Sequence, residues 1–485
     1  MRLKALEIAV ICRGRVRRGR AENRVGEICT DSRALQAGQC FLALKGARFD
    51  GHSFLRKVVQ KGASGLIVED RPGLHLPGTV PVIAVPDTLA ALGDLAADWR
   101  RRFDVPLVAV TGSTGKSTTK EMIAHILSGR YRVLKNEGNL NNLIGLPLSL
   151  LRLRPSHQAA VLEMGMNRPG EIARLTAIAR PEVGLITNVG PVHLEGLGDV
   201  EGVARAKGEL VRGLGKDAWV VVNLDDPRVR KIMRRHPGPK VGFSRRPEGG
   251  RDWQESLHLT SFHPFEKGKR RGVEWTVQRR SRGQAVGPAV RFHLTTLGWH
   301  NVENALAAAA AGRPLQLSLA EAARRLESFS GLKGRNQLLE LPGPVRLVDD
   351  SYNANPVSTP AALQSFNYWR GRNRGIVVLG DMLELGKFTR PAHLKVGASL
   401  GPMGFDLVIF RGEQAGAMAL AARKAARLSS PKSGVSAKRI RVAESNEEVV
   451  AWLAKELKAG DWVLVKGSHG VRLEEVVAGL RKERG

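Results

Sequence analysis

Residues 107–127, LVAVTGSTGKSTTKEMIAHIL, constrain the fold more than any other stretch of this chain. A β-branched apolar run leads into Gly112, Gly115, Lys116 and Ser117, and a helical run follows with apolar residues at Met122, Ile123, Ile126 and Leu127. A strand, a tight glycine-bearing loop and a helix in that order aim backbone N–H groups and a helix N-terminus at one point, which suits phosphate. The full pattern G-x-x-x-x-G-K-[ST] requires glycine where this chain has Val110. What is left is a shortened loop, read either as a nucleotide site or as a glycine turn with an incidental lysine. As a nucleotide site it engages Gly112, Ser113, Thr114, Gly115, Lys116, Ser117 and Thr118, with Lys116 neutralising the β- and γ-phosphates and Ser117 ligating Mg²⁺.

Other apolar runs set the fold class. AAVLEM at 159, VGLITNV at 183 and AWVVVNL at 218 are continuous, and helical stretches separate them. Strands apolar on both faces belong to a parallel sheet covered on both sides. Before residue 98 the shorter runs CFLAL, GLIVE and PVIAV alternate with helical segments, and RRFDVP reads as a linker. Beyond 316 the alternation restarts with VRLVDD, GIVVLGD, DLVIF and DWVLVKG. The expectation is an α/β chain of three units in series, residues 1–98, 99–315 and 316–485, each long enough to bury its own core. Between about 228 and 292, Gly, Pro and Arg interrupt any helical period, which predicts hairpins and exposed loops.

Composition removes several function classes. No apolar run approaches the roughly 18–20 residues that span a bilayer. Glu7 interrupts the first apolar run, and arginines without a small-residue cleavage site follow it, which argues against a secretory signal. Cys12, Cys29 and Cys40 lack C-x-x-C spacing and suit a reducing cytosol, so a cytoplasmic location is expected. The formal charge of +30 would suit nucleic acid, an anionic membrane surface or phosphate-rich small molecules. The arginines are dispersed, in CRGRVRRGR, RRRF, FEKGKRRG and RKERG, with no aromatic residues interleaved for base stacking. No specific nucleic-acid site is expected.

Magnesium on a triphosphate needs oxygen donors from neighbouring strand ends. AAVLEMGMNRPGEI places Glu163 at such an end, as a ligand or as a solvated carboxylate. LITNVGPVHLEGLG places Asn188 and His193 after the next strand, near the same phosphates, although a lone histidine also suits a structural role. GVARAKGELVRG carries Lys207 on a helix beside small residues. By its chemistry alone this is a surface lysine, because an ammonium beside metal-bound phosphates is useful only if it binds an anion or is modified.

Taken together, TGSTGKSTTK, KNEGNLNNLIGLP, LEMGMNRPGEI, ITNVGPVHLEGLG, ARAKGEL, GWHNVENALAAAA, GRNQ, VDDSYNANP, LGDMLELG and VKGSHGVRLE resemble the Mur ligase family over nearly the whole chain. The resemblance accounts for Val110: the family's phosphate loop is the compact form, and the valine ends the strand. It implies an N-terminal α/β uridine-nucleotide-binding domain, a central P-loop parallel-sheet ATPase domain and a C-terminal Rossmann-like α/β domain. It also implies ATP-driven amide formation through an acyl phosphate. DDSYNANP, LGDMLELG and TDSR with LKGARFDGH are most similar to members that join D-alanyl-D-alanine to UDP-N-acetylmuramoyl-tripeptide. Those two molecules and ATP are the partners it implies.

By the same resemblance Lys116 binds phosphate, Ser117 and Glu163 hold one Mg²⁺, and His193 helps to hold a second. Lys207 matches the lysine that the family carbamylates, which turns an ammonium into a carboxylate able to face the metal ions. Asn304 meets adenine, and Arg335 with Asp350 contact phosphate and ribose once the domains close. Ser32, Arg33, Lys45, Asp50 and His52 hold the uridine diphosphate end. Asn353 and Asn355 either touch the dipeptide or form a turn before Pro356. His469 stands where the resemblance implies arginine, which makes any phosphate contact there weaker and pH-dependent. The basic stretch 232–290 and the overall charge lie outside the resemblance, and suit a solvated surface or weak peripheral membrane association. A monomer is expected, since one chain carries all three domains.

Two rival readings stay open. One is another ligase of the family, either the tripeptide-forming enzyme or folylpolyglutamate synthase. Against them stand the lack of a D-N-P-R stretch and the presence of a uridine-type N-terminal segment. The other, from a different class, is a basic P-loop ATPase switched by nucleic acid.

Overall fold

The three α/β patterns become three main sheets, beside a small antiparallel pair of Leu3–Lys4 with Arg24–Val25, in a computed structural model that describes residues 3–46, 49–72, 74, 80–247, 253–267, 270–428 and 439–484. Parts of the LKGARFDGH and FEKGKRRG runs and of the 232–290 stretch therefore lie outside the described residues.

The first sheet contains Arg15–Arg18 (β1), Ile28–Cys29 (β2), Cys40–Leu42 (β3), Gly65–Glu69 (β4) and Val82–Val85 (β5) in the order β1-β5-β4-β3-β2. Only β1 runs antiparallel. Helix Thr88–Arg101 (α1) starts at Asp87, whose carboxylate accepts from the Ala90 N–H at 2.8 Å. It crosses the 98/99 boundary, and RRFDVP begins as its last turn. Arg100 explains why: its buried guanidinium donates to the carbonyls of Ala179, Phe103 and Val105 and pairs with Glu182 at 3.0 Å, fastening the helix to the next domain.

The central sheet is built on Leu107–Thr111 (β6), Val133–Lys135 (β7), Ala159–Glu163 (β8), Val183–Ile186 (β9), Trp219–Asn223 (β10) and Lys240–Ser244 (β11). It continues through Glu255–Lys267 (β12), Arg270–Ser281 (β13), Gln284–Ala285 (β14) and Val290–Leu294 (β15). The order is β14-β13-β12-β11-β10-β9-β6-β8-β7, with β15 also on β13 and every pairing from β12 to β7 parallel. Every residue of β6 and β8 is buried, which is why these strands read as continuous apolar runs. Strand β6 ends one residue beyond Val110, at Thr111. The 228–292 stretch is mainly the β12–β13 hairpin, preceded by helix Pro227–Arg234, whose Asp226 cap and leading proline set its start. Helix Lys116–Leu127 (α2) packs against helix Trp299–Gly312 (α3), whose buried run Ala307–Ala311 permits close approach.

The third sheet contains Gln337–Leu341 (β16), Val345–Asp350 (β17), Gly375–Gly380 (β18), Leu407–Arg411 (β19), Ile440–Ala443 (β20) and Trp462–Lys466 (β21). Its order is β16-β17-β21-β18-β19-β20, parallel apart from β16. No helix among the described residues is long and apolar enough to cross a membrane.

Candidate active site

Strand β6 lies between β8 and β9, so the order of the parallel sheet reverses around it. Ligands of such sheets settle at the carboxyl ends of the strands at this point, and the phosphate loop is there. Two of its glycines are obligatory. Gly115 has φ +78° and a Cβ on it would stand 2.3 Å from Asn304 Oδ1; on Gly112, at φ +152°, it would stand 1.8 Å from Thr187 Oγ1. Asn188, just beyond β9, shapes the loop: its carbonyl accepts from Ser113 N–H and its Oδ1 from Thr114 N–H, both at 3.0 Å. Lys116 Nζ donates to Gly112 O at 2.9 Å, and burial lowers its pKa.

Glu163 is buried, so it is not the solvated carboxylate that its position also allowed. Ser117 Oγ donates to its Oε2 at 2.5 Å, and Asn141 Nδ2 donates to its Oε1 at 2.7 Å. Its backbone is held twice by Asn136, whose Oδ1 accepts from Glu163 N–H at 2.9 Å while Nδ2 donates to Glu163 O at 3.1 Å. Buried Lys120 in turn donates to Asn136 O at 2.5 Å and pairs with Glu121 at 2.8 Å. Ser117 and Glu163 present adjacent hard oxygen donors, the chemistry that Mg²⁺ accepts. Among the described residues no three His, Cys, Asp or Glu side chains converge on one point. The protein would thus leave most positions around such an ion to phosphate and water, which is the usual coordination of Mg²⁺ with a nucleotide.

Lys207 is 1% exposed, which overturns its assignment to the surface. Its ammonium makes no hydrogen bond or ion pair among the described residues. Burial, reinforced by Lys116 and opposed only by Glu163, holds its pKa well below that of an ordinary lysine. Burial thereby favours the uncharged amine, the form that reacts with carbon dioxide.

The second wall of the cleft comes from the third sheet. Arg335 lies over the Tyr352 ring at 4.2 Å, Lys466 pairs with Asp350 at 2.7 Å, and the Asn336 N–H donates to Asp350 at 3.1 Å. Exposed His469 stacks on Tyr352 at 5.7 Å. Asn304 Oδ1 accepts from Thr119 Oγ1 at 3.2 Å, under the loop. His193 Nδ1 meets Glu384 Oε2 at 2.7 Å across the cleft. The open cleft has a volume of about 1060 Å³, and Lys116, Glu163, His193, Arg335, Asp350 and Asn353 all face it. Asn355 faces it too, while its Oδ1 accepts from the N–H groups of Val357 and Ser358 at 3.0 and 2.8 Å. Its turn-forming role is thus realised, and Asn353 Oδ1 likewise accepts from Ala354 N–H at 2.9 Å.

Ser32, Arg33, Lys45, Asp50 and His52 stand apart from this cleft, in the first domain. Arg33 is exposed and pairs with Asp31 at 2.9 Å, Lys45 and Asp50 form an isolated β-bridge, and the Ser32 carbonyl accepts from Lys61 at 3.0 Å. His52 is committed at both nitrogens. Its Nε2 accepts from Glu69 N–H at 2.9 Å, so Nδ1 carries the proton and donates to Asp50 Oδ1 at 2.6 Å. The sequence reading passed over Asn136, Asn141, Lys120, Glu384 and Arg71. The asparagines sit in KNEGNLNN, where spacing signals turns rather than support of a carboxylate.

Three family models match the chain: "Mur ligase family, catalytic domain" over residues 24–100, "Mur ligase middle domain" over 110–312 and "Mur ligase, glutamate ligase domain" over 334–469. The chain is 34% identical to UDP-N-acetylmuramoyl-tripeptide–D-alanyl-D-alanine ligase of Bacillus subtilis, covering 93% of this chain and 92% of the relative. It is 35% identical to the Escherichia coli ligase of the same name, over 94% and 93%. Among solved structures, MurF from Acinetobacter baumannii aligns with a TM-score of 0.85 at 30% identity, over 99% of both chains. MurF ligase from Thermotoga maritima in complex with ADP aligns at 0.78 and 29%, over 94% and 97%.

Proposed function

This chain belongs to the Mur ligase family, and from that premise we propose that it joins D-alanyl-D-alanine to UDP-N-acetylmuramoyl-tripeptide, splitting ATP to ADP and phosphate. One observation carries the proposal. The phosphate loop, the Ser117–Glu163 oxygen pair and the Arg335 and Asp350 side chains of another domain face one cleft, which can hold a nucleotide against the carboxylate it phosphorylates.

A carboxylate is a poor acyl donor because its leaving group would be oxide. Transfer of the γ-phosphoryl group to the terminal carboxylate of the tripeptide releases ADP and installs a better one. The dipeptide amine then attacks the carbonyl carbon, the C–O bond to phosphate breaks, and the amine gives up its proton as the amide forms. Lys116 lies against the β- and γ-phosphates, and their charge restores the ammonium that burial disfavours. Bound magnesium would neutralise phosphate charge and draw the transferring group into line. Ser117 and Glu163 would hold one ion, and His193 with a carbamylated Lys207 would face a second. Asn304 takes the adenine, and Arg335 and Asp350 take phosphate and ribose. Their position on a separate domain lets closure exclude the water that would hydrolyse an acyl phosphate.

The working division is residues 1–98 for the uridine diphosphate end, through Ser32, Arg33, Lys45, Asp50 and His52, then 99–315 for ATP and 316–485 for closure. Asn353 and Asn355 face the dipeptide. We assign the chain to the cytoplasm as a monomer, with its +30 charge supporting weak attraction to anionic membrane. The test is phosphate release from Mg²⁺-ATP with UDP-N-acetylmuramoyl-tripeptide and a panel of D-alanyl-D-alanine, free amino acids, glutamate and single-stranded nucleic acid. Release that requires both the tripeptide and the dipeptide, with the pentapeptide seen by mass, supports the proposal. Turnover with a single amino acid changes the substrate, and stimulation by nucleic acid alone overturns the ligase assignment.

A further inference from the structure

His193 and Glu384 come from different domains. His193 follows β9 in the central domain, and Glu384 follows β18 in the third sheet's domain. The two side chains meet at 2.7 Å between Nδ1 and Oε2. Both residues hold left-handed backbone, φ +51° and +64°, a conformation that side-chain-bearing residues keep only where the surroundings fix it. Those surroundings are rigid: Leu383 N–H donates to Ser468 Oγ at 3.0 Å, and Met382 N–H donates to His393 Nε2 at 2.8 Å. Gly386 lies so close to Glu195, two residues beyond His193, that a Cβ on it would come within 3.3 Å of the Glu195 Cα. Among the described residues the buried His193 Nδ1 makes no aligned hydrogen bond, and the Glu384 carboxylate at 2.7 Å is the acceptor within its reach.

We infer that Glu384 is a positioning residue for His193: the carboxylate holds the ring proton on Nδ1 and leaves the Nε2 lone pair for a cation in the cleft. Because the carboxylate belongs to the other domain, the imidazole is set only when the domains are together. The inference rests on the proposed function, in which His193 faces a metal ion. It follows the general rule that a ligating histidine donates its other N–H to an orienting acceptor.

The test uses the full chain labelled with ¹⁵N-histidine, free of nucleotide, at a pH where the imidazole is neutral. The His193 signals are assigned by their loss in His193→Gln. In the wild type the Nδ1–H tautomer is expected to predominate. Glu384→Ala should move the ring toward the Nε2–H form that free imidazole prefers, and Glu384→Gln, which keeps an acceptor oxygen, should retain Nδ1–H. In steady-state assays Glu384→Ala should lower kcat by about 10–100-fold with KM for the uridine-linked substrate unchanged, and Glu384→Gln should recover part of that loss. An Nε2–H tautomer in the wild type, or a Glu384→Ala kcat within twofold of wild type, overturns the inference. So does a Glu384→Gln enzyme as slow as Glu384→Ala with its tautomer intact. A wild-type chain that forms no pentapeptide fails the ligase proposal instead, and the tautomer still reports on the pair.

Discussion

Ser117 Oγ and Glu163 Oε2 are 2.5 Å apart although 46 residues separate them in the chain. The contact follows from register: β6 and β8 are parallel neighbours with Val110 opposite Glu163, so one strand delivers the helix start and the other the carboxylate to the same level. Glu163→Gln keeps the shape and removes the charge that would hold a cation. We expect kcat to fall by roughly 10²–10³, as when one preorganised charge-stabilising group is lost, with little change in Tm. Phosphate release at saturating substrates and calorimetry would check this, and an unchanged kcat would remove Glu163 from the metal-binding edge.

Lys207 separates activity from stability in the same way. Burial holds its pKa well below the ordinary value, so between the folded value and about 10.4 the unfolded chain binds a proton that the folded chain has released. Stability should therefore rise with pH across that window. Lys207→Met should abolish turnover, keep or raise Tm near neutral pH in buffer free of carbon dioxide, and flatten that rise. Wild-type turnover should fall on removal of carbon dioxide and return with bicarbonate. Calorimetry from neutral to alkaline pH and phosphate release with and without bicarbonate test both parts.

What the sequence disclosed followed from local physics. The fully buried strands β6, β8 and β9 announced a parallel sheet, and the glycines of the phosphate loop announced their own conformation. Asp226 followed by Pro227 is an equally local start signal, but the arginines after it hid a helix whose buried face is only Val229 and Met233. By its chemistry alone Lys207 was read as a surface residue because its burial depends on how distant segments pack around it. The Glu384–His193 and Arg71–Asp50 contacts were invisible for the same reason, since each joins residues whose own neighbours in sequence say nothing of the partner.

Asp50 is the keystone of a small network in the first domain. Against a burial that raises its pKa, hydrogen bonds from His52 N–H, His52 Nδ1–H and Arg71 hold it well below the usual carboxylate range. A depressed carboxylate pKa contributes stability that is present above the unfolded value of about 4 and lost as pH falls through the folded value. Asp50→Asn should thus be destabilised at pH 7, by about 1–3 kcal/mol for the charge-assisted bonds removed, and should converge on the wild type in strong acid. Thermal melts of both proteins from pH 7 down to pH 2 would show the gap narrowing, and a constant gap would assign the loss to something other than the charge.

Asn136 acts on the chemistry only through Glu163. It is wholly buried, bonds both backbone groups of Glu163, donates to Leu140 O at 2.8 Å, and accepts the Lys120 ammonium. Asn136→Ala would leave the N–H and C=O of Glu163 without these partners, at about 1–3 kcal/mol for each buried group stranded. Stability and kcat should fall together, because the carboxylate rides on the backbone that loses its support. A double-mutant cycle separates the two effects. With Glu163→Gln already present, Asn136→Ala should still lower Tm but cost little further kcat, since the group it positions has lost its charge. Full additivity in kcat would mean that Asn136 reaches the reaction by a route other than Glu163.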